Sequence, residues 1–381
     1  MKIGILTFHR ALNYGAVLQT YALRKALNNL GVDAEVVDYR CKVIEKSYAP
    51  IQFNSKNILK VVASNMFYYS TRKKMREKFN EFINLKVNLS KEKYFNIEEL
   101  AKIENAYDLF ITGSDQVFNY ECTDFDKTYF LDFVKDDYKK NSYAASFGFD
   151  SIPNNYVEEY QRLLQGFANI SVREESGRNI IKKMFEKDIN ISLDPVFLLS
   201  KEEWISIINP VKRERKYILM YTIASPNHLI PFAENLAKKM GCELVYLNDR
   251  FKKNSTAEYI KFCSPTDFLA LFASAEYVVT NSFHGTAFSI LFQKTFYCEV
   301  VPKNGKKNFR VIDLLNMLNL NEQIFNSEGI NRITNSCIDY KAVNNILETQ
   351  KKSALDYLEK LSSGMKTTSI DAKNEKGIIN E

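Results

Sequence analysis

A histidine lies in the most informative stretch of this chain, residues 277–292, which read YVVTNSFHGTAFSILF. The β-branched run at its start predicts a strand, a short polar turn follows, and residues 286–292 predict a buried helix. His284 is therefore expected just beyond the carboxyl end of a parallel strand, where open α/β sheets bind their ligands. Because histidine exchanges protons near neutral pH, His284 is the candidate proton donor of a catalytic site. The alternative is a histidine that only caps the turn.

Two arginines are candidate anion ligands. Arg173 ends a predicted strand, and its guanidinium can donate bidentate hydrogen bonds to a carboxylate or a phosphate, which makes it the main candidate. The alternative for this residue is a salt bridge in the domain core with Glu174, Glu175 or Asp194. Arg310 begins a predicted helix, where a cation is unfavourable unless an anion compensates it. Its alternative is pairing with acids at the surface.

Further polar groups follow the predicted strands. Asp115 can orient or deprotonate an acceptor hydroxyl, or else only cap the turn after it. Gly285 and Thr286 begin the helix after the histidine, where free amide groups can bind an anion; alternatively they serve the geometry of the turn. The other candidates for substrate contact share a position at a strand's carboxyl end: Asn13, Tyr14, Gly15, Gly113, Ser114, Gln116, Ser146 and Ser282.

Strand and helix patterns alternate in two successive series. Strand patterns at residues 2–7 and 34–38 flank a helical pattern at 16–30, and such a βαβ opening requires a parallel sheet. A further strand pattern in this series covers residues 142–146. A second series begins near residue 216, with strand patterns at 217–221, 243–247 and 277–280. The expected class is α/β with two Rossmann-like domains facing each other across a cleft. We expect an N-terminal domain over 1–200, a C-terminal domain over 201–340, a helix over 341–361 that packs back across the joint, and a disordered tail over 362–381.

Composition narrows the class of protein. The chain has 381 residues, 45% of them hydrophobic, and a net charge of +6, which suits a small anionic substrate better than a nucleic acid. Six scattered cysteines form no CxxC pair, so we expect neither a metal site nor a disulfide framework. No apolar stretch is long enough to span a bilayer, which predicts a cytoplasmic protein. A helical segment over 56–85, rich in aromatic and basic residues, leaves peripheral membrane contact open, although packing on the sheet is the plainer interpretation.

Six segments, in one order over residues 1–320, together resemble the polysaccharide pyruvyl transferase family. They read GILTFHRALNYGAVLQTYALRKAL, DLFITGSDQVFN, YAASFG, ISVREESG, LDPVFLL and TNSFHGTAF. The resemblance implies a fold similar to glycosyltransferase-B proteins and an enzyme that transfers the pyruvyl group of phosphoenolpyruvate to two hydroxyls of a saccharide, forming a cyclic ketal. The chain departs from better-studied members at Ser282, where they have an arginine.

The same resemblance implies the partners of the enzyme. They are phosphoenolpyruvate as donor, with no further cofactor, and a saccharide or lipid-linked oligosaccharide of surface polysaccharide synthesis as acceptor, at the inner face of the cell membrane if the acceptor is lipid-linked. Two other functions stay open. One is a glycosyltransferase that uses a nucleotide sugar, for which Glu299 is the candidate ribose-binding acid. The other is a glycan-binding subunit without catalytic activity.

Overall fold

Two parallel five-stranded sheets organise the chain, whose computed structural model describes residues 1–51, 58–209, 211, 213–224, 228–247, 256–300, 309–325 and 337–363. The first sheet has the order β3-β2-β1-β4-β5 and the second the order β10-β9-β8-β11-β12; β6 and β7 form a separate pair. The strands are β1 Lys2–Leu6, β2 Asp33–Tyr39, β3 Leu89–Tyr94, β4 Leu109–Thr112, β5 Lys140–Ser142, β6 Ser171–Val172, β7 Asn190–Ile191, β8 Tyr217–Tyr221, β9 Glu243–Leu247, β10 Glu258–Ile260, β11 Tyr277–Thr280 and β12 Thr295–Cys298.

Helices cover both faces of each sheet, as parallel sheets require. All five residues of β8 are buried, which explains why its sequence is apolar throughout rather than alternating. The helices are α1 Tyr14–Asn29, α2 Lys42–Ser47, α3 Ile58–Lys86, α4 Ile97–Ala101, α5 Tyr120–Thr123, α6 Val157–Gln165, α7 Glu175–Phe185, α8 Lys201–Ile205, α9 Leu229–Met240, α10 Pro265–Ser274, α11 Phe283–Leu291, α12 Phe309–Met317 and α13 Tyr340–Ser362.

Two predicted elements differ from the structure near the site. The helix expected over 286–292 begins at Phe283, because Ser282 is its N-cap, so His284 lies in the first helical turn and not in the preceding turn. The strand expected over 142–146 ends at Ser142. Beyond it, Ala144 takes a positive φ of 46° and the backbone makes only isolated bridges, so the chain leaves the regular strand. The predicted tail lies outside the described residues from 364 onward.

Aromatic side chains join the two halves of the molecule. The ring of Tyr14, in α1, stacks on Phe268, in α10, with centroids 4.4 Å apart. At the far end of the chain, α13 bridges both halves. The Tyr340 hydroxyl donates to the Lys294 carbonyl at 2.5 Å, and the Tyr357 hydroxyl donates to the Ser142 carbonyl at 2.9 Å. A stacked aromatic pair such as Tyr14 and Phe268 stabilises the fold by about 0.5–1.5 kcal/mol beyond the contribution of its buried area.

Each sheet reverses its strand order at one place, between β1 and β4 in the first and between β8 and β11 in the second. In open parallel sheets the loops after two such strands diverge and leave a crevice at the carboxyl edge. The loops after these four strands carry most of the predicted site residues. The topology therefore brings the candidates from separate parts of the sequence to the joint between the sheets.

None of the helices within the described ranges combines the length and the apolar character that a bilayer span requires. All six cysteines are free thiols.

Candidate active site

His284 lies against the first turn of α1, across the joint. Its side chain is only 10% exposed, and its Nε2 atom is buried without a hydrogen-bond partner. The ring occupies the space that a side chain at position 15 would need: a Cβ on Gly15 would lie 1.9 Å from Nδ1. Gly15 therefore permits the close approach of the two halves that brings His284 into the site. This approach requires a glycine at position 15, whether or not the residue also contacts substrate.

A methyl group at position 15 should displace the histidine. In Gly15→Ala the added Cβ clashes with the ring, and neither the α1 backbone nor the packed ring can yield freely. Because a displacement of about 1 Å in a catalytic group can cost about 10²-fold in rate, we expect turnover to fall by that order. The control is Gly166→Ala, where the nearest atoms belong to the flexible side chains of Asp137 and Lys140. Equal activities of the two variants would contradict the positioning role.

Asp194 connects the histidine to Arg173. The Arg173 Nη1 group donates to Asp194 Oδ2 at 2.5 Å, and the same oxygen lies 3.4 Å from His284 Nε2. The latter pair is within ion-pair distance but lacks hydrogen-bond geometry, so Nε2 stays unpartnered. The other carboxylate oxygen accepts the Val196 amide at 3.1 Å. Burial alone would raise the pKa of Asp194, but His284 and the Arg173 guanidinium hold it well below its usual value.

Arg173 is a buried cation surrounded by acids. Together with Asp115, Glu174, Asp194 and His284 it forms what is called here the charged cluster. Besides Asp194, its Nη2 lies 3.9 Å from Asp115 Oδ1 and its Nε lies 3.8 Å from Glu174 Oε2. Burial lowers the pKa of Arg173, but these three carboxylates outweigh burial and raise it overall. The structure thus shows the core salt bridge that was the alternative for this residue. Its charge is already compensated, but Nε and Nη2 have no hydrogen-bond partner, so its role as an anion ligand stays a prediction.

A cavity of about 330 Å³ lies beside this cluster, and Arg310 contributes to its wall. Within the described parts of the chain, no carboxylate is within ion-pair distance of the Arg310 guanidinium, which lies 6.0 Å from the ring centre of Phe283. Burial and the neighbouring Arg173 lower the pKa of Arg310. An uncompensated cation at a cavity is a strong anion site. The lining residues are Arg173, Glu175, Ile191, Ser192, Leu193, Asp194, Phe197, Phe283, Arg310, Asp313, Leu314, Asn316, Met317 and Gln350.

Asp115 has an unusual backbone, with a positive φ of 72°. Left-handed residues other than glycine are strained, and they concentrate at functional sites. Its Oδ1 atom accepts the Gln116 amide at 2.8 Å and faces Arg173, so the carboxylate both caps the turn and belongs to the charged cluster. Gly113 before it has a φ of 112°, and a Cβ there would lie 2.3 Å from the Tyr143 carbonyl oxygen.

Several predicted substrate ligands are engaged within the protein. The Tyr14 hydroxyl donates to the Cys263 carbonyl at 3.2 Å and so joins the two halves. The Thr286 hydroxyl donates to the Ser282 carbonyl at 3.1 Å. The Gly285 amide donates to Ser282 Oγ at 3.2 Å, because a serine N-cap satisfies this amide as it does in ordinary helices. These groups thus have partners within the protein, and their contact with an anion or a substrate stays a prediction.

The other candidates lie at the carboxyl edges as expected, with partners of their own. Asn13 caps α1 by accepting the Ala16 amide at 3.3 Å. The buried Ser114 hydroxyl donates to the Ala144 carbonyl at 2.9 Å, and Gln116 Oε1 accepts from Asn119 at 2.9 Å. The Ser146 hydroxyl donates to Glu174 Oε1 at 2.7 Å.

Three residues at the candidate site were not predicted as part of it: Asp194 and Glu174 of the charged cluster, and Phe283 of the cavity wall. The sequence around Asp194 does indicate a helix cap, because an aspartate directly before a proline is typical of the start of a helix. In the structure Asp194 caps the short helix Pro195–Leu198. Glu174 joins the loop after β5 to α7, and its Oε2 atom is buried without a hydrogen-bond partner. Phe283 carried no signal, because an aromatic residue in a buried helix usually belongs to the core.

The described residues contain no group of three histidine, cysteine, aspartate or glutamate side chains arranged to hold a metal ion. The charged cluster consists of Arg173, the three acids around it and His284.

Solved structures of similar fold confirm the predicted architecture, two facing Rossmann-like domains of the glycosyltransferase-B type. The UDP-GlcNAc 2-epimerase of Methanocaldococcus jannaschii is 12% identical, with a TM-score of 0.50 over 95% of this chain and 100% of that chain. The S. aureus MnaA–UDP complex is 12% identical, with a TM-score of 0.51 over 96% and 97%. At these identities the likeness concerns the fold alone.

No curated protein matches the chain significantly. A family model does match, over residues 13–299, which include β2 through β12, Arg173, Asp194 and His284 but neither β1 nor Arg310. On this match, the chain belongs to the polysaccharide pyruvyl transferase family, a family of transferase enzymes.

Proposed function

We propose that this transferase moves the pyruvyl group of phosphoenolpyruvate onto two hydroxyls of a saccharide acceptor. The observation that carries the proposal is the Arg310 guanidinium, which faces a cavity without a carboxylate partner among the described residues. Phosphoenolpyruvate has a carboxylate and a phosphate on a three-carbon skeleton. A cavity of about 330 Å³ is at the lower end of the range for ligand sites, which favours a small donor over a nucleotide sugar.

Arg310 is the cation through which the cavity can bind an anion, although the acids Glu175, Asp194 and Asp313 also line it. Arg173 is held by Asp194, so a donor anion gains most from Arg310, which can offer bidentate hydrogen bonds. The Phe283 ring lies 4.9 Å from the Arg173 guanidinium and 6.0 Å from that of Arg310. This ring helps to exclude water from the space between the cations, and exclusion of water strengthens each electrostatic contact in the cavity.

The proposed reaction needs a proton at the CH₂ carbon of the donor. His284 is not itself among the residues that line the cavity, but it follows Phe283 in α11 and faces Asp194, and both of these neighbours line it. Protonation gives a methyl group and an oxocarbenium-like neighbouring carbon, which the first acceptor hydroxyl attacks as it loses its proton. The bond to phosphate oxygen then breaks, inorganic phosphate leaves, and the second hydroxyl closes the ketal with loss of its own proton. Asp115 is the candidate to orient or deprotonate an acceptor hydroxyl.

Donor binding can be measured without knowing the acceptor. In Arg310→Gln we expect the affinity for phosphoenolpyruvate, titrated by calorimetry, to fall by about 10- to 100-fold, because a charge-assisted contact is lost. Arg162→Gln is the control, since Arg162 pairs with Asp132 and Glu159 and none of these three residues lines the cavity. If Arg310→Gln binds like the wild type, or if the wild type gives no heat with phosphoenolpyruvate, the proposed donor site is wrong.

One observation favours a second function. Glu299, directly after β12, has a buried Oε2 atom that lacks a hydrogen-bond partner, and burial raises its pKa. A carboxylate at the carboxyl edge of the second sheet suits the ribose hydroxyls of a nucleotide sugar. Titration of the wild type with UDP and GDP sugars decides between the two functions: saturable binding of a nucleotide sugar, with none of phosphoenolpyruvate, would favour a glycosyltransferase.

A further inference from the structure

The amino-terminal half of α3 has an outward face that is apolar where a surface helix is normally polar. Val62, Met66 and Tyr69 follow the i, i+4, i+7 spacing of one helix face, and Phe67 lies beside them. These side chains are 50%, 81%, 44% and 71% exposed, respectively. Later in the same helix the outward positions are charged, as at Glu77 and Glu81. These four exposed apolar residues, three on one face of the helix and Phe67 on the adjoining face, are called here the α3 patch.

Basic residues are frequent in the sequence around the α3 patch. Lys73 and Lys74 are both exposed; Lys73 follows Tyr69 by four residues and Lys74 follows Phe67 by seven, so each shares a helix face with one patch residue. Residues 46–76 contain seven lysines and arginines and no aspartate or glutamate, although the whole chain is 26% charged with nearly balanced signs. An apolar helix face bordered by cations is the pattern of helices that lie in the interface of an anionic bilayer. A protein partner would more often meet a patch with both signs of charge.

The buried side of α3 connects this surface with the active site. Phe79 is fully buried, and its ring lies 5.0 Å from that of Tyr14, the residue before Gly15. Phe67 lies 12 residues before Phe79, about 18 Å along the helix axis. A bilayer in contact with the α3 patch would therefore lie near the joint between the sheets, at a distance that a membrane-anchored saccharide can bridge.

We propose that the α3 patch docks the protein on an anionic lipid bilayer. Met66 and Phe67 enter the boundary between headgroups and acyl chains, while Lys73 and Lys74 contact the phosphates of the headgroups. The helix lies in the plane of the membrane and does not cross it. This inference does not depend on the proposed reaction, because membrane binding can be measured without donor or acceptor.

The test is co-sedimentation of the full chain with vesicles rich in phosphatidylglycerol and with vesicles of phosphatidylcholine alone. We expect the wild type to bind the former and to be released by salt, because screening weakens charged contacts. Met66→Ser with Phe67→Ser should lower the partition coefficient by about tenfold or more, since each removes a buried apolar side chain. Lys73→Glu with Lys74→Glu should lower it by a similar factor.

The matched controls are exposed residues outside the patch. Leu85→Ser changes an apolar residue that is 72% exposed at the other end of α3, and Lys91→Glu with Lys93→Glu changes two exposed lysines of β3. These variants should bind like the wild type. Three outcomes would overturn the proposal: no binding of the wild type to anionic vesicles, equal loss in Leu85→Ser and in the patch variant, or self-association through the patch in place of vesicle binding.

Discussion

Replacement of His284 by glutamine is expected to lower the rate of phosphate release from phosphoenolpyruvate, with acceptor present, by about 10²–10⁴-fold, the usual contribution of a general acid. Glutamine keeps the polarity and most of the volume of the side chain but cannot donate a proton at neutral pH. The ring makes no hydrogen bond at Nε2, so its removal should change the melting temperature little. Phosphate release and thermal unfolding are measured on the same preparation.

His228→Gln is the control for this experiment, because His228 is an exposed histidine before α9, away from the charged cluster. It should retain the rate of the wild type. A His284→Gln enzyme that releases phosphate at nearly the wild-type rate would remove the histidine from the mechanism. An unchanged rate constant with a raised Michaelis constant would instead assign the ring to binding.

Replacement of Asp194 by asparagine is expected to have the largest combined effect on stability and activity. Asp194 is fully buried and compensates the buried Arg173 guanidinium, and loss of one partner of a buried ion pair leaves the other charge uncompensated. The free energy of unfolding at pH 7 should fall by about 3–5 kcal/mol. Activity should fall as well, because both Arg173 and His284 lose the group that they face.

The pH dependence of this effect has a definite sign. The folded protein holds the pKa of Asp194 below its unfolded value of about 3.9, so the unfolded state binds the proton first as pH falls. The contribution to stability is complete above pH 4 and is lost at lower pH, as the folded carboxylate also becomes protonated. The difference in unfolding free energy between wild type and Asp194→Asn should therefore shrink from pH 7 to pH 3 in urea titrations.

Asp188→Asn is the control, since Asp188 is an exposed acid that pairs with Arg178 and contributes little to stability. The difference in unfolding free energy between the wild type and Asp194→Asn is the decisive quantity. If it is small at pH 7, or grows as the pH falls, the carboxylate does not stabilise Arg173 in the folded state.

Strands with continuous apolar sequences were predicted well. The observed bounds of β8, β9 and β11 are those predicted, because a strand buried on both faces is apolar along its whole length. β3 was missed, because its sequence, LSKEKY, is polar and resembles a loop. The start of α11 was placed three residues late, because a serine cap followed by Phe283 and His284 carries no acidic residue to mark the first turn.

The composition of the charged cluster is harder to predict. Asp194 lies 21 residues after Arg173 and 90 residues before His284, and no local pattern indicates which acid of the first domain takes the guanidinium. The sequence therefore favoured Arg173 as the anion ligand, whereas the structure compensates that charge and leaves Arg310 exposed to the cavity. Neither the approach of Gly15 to His284 nor the outward face of α3 can be predicted before the packing is known.

A crystal structure of the protein soaked with phosphoenolpyruvate is the most direct test of the central claim, that the cavity at the joint holds an anionic enol donor beside His284. The donor is predicted to lie between the Arg310 guanidinium and the Phe283 ring, with a carboxylate or phosphate oxygen at hydrogen-bond distance from Arg310 and its CH₂ carbon toward the imidazole. A donor bound elsewhere, or one in the cavity whose CH₂ carbon lies out of reach of the His284 ring, would contradict it.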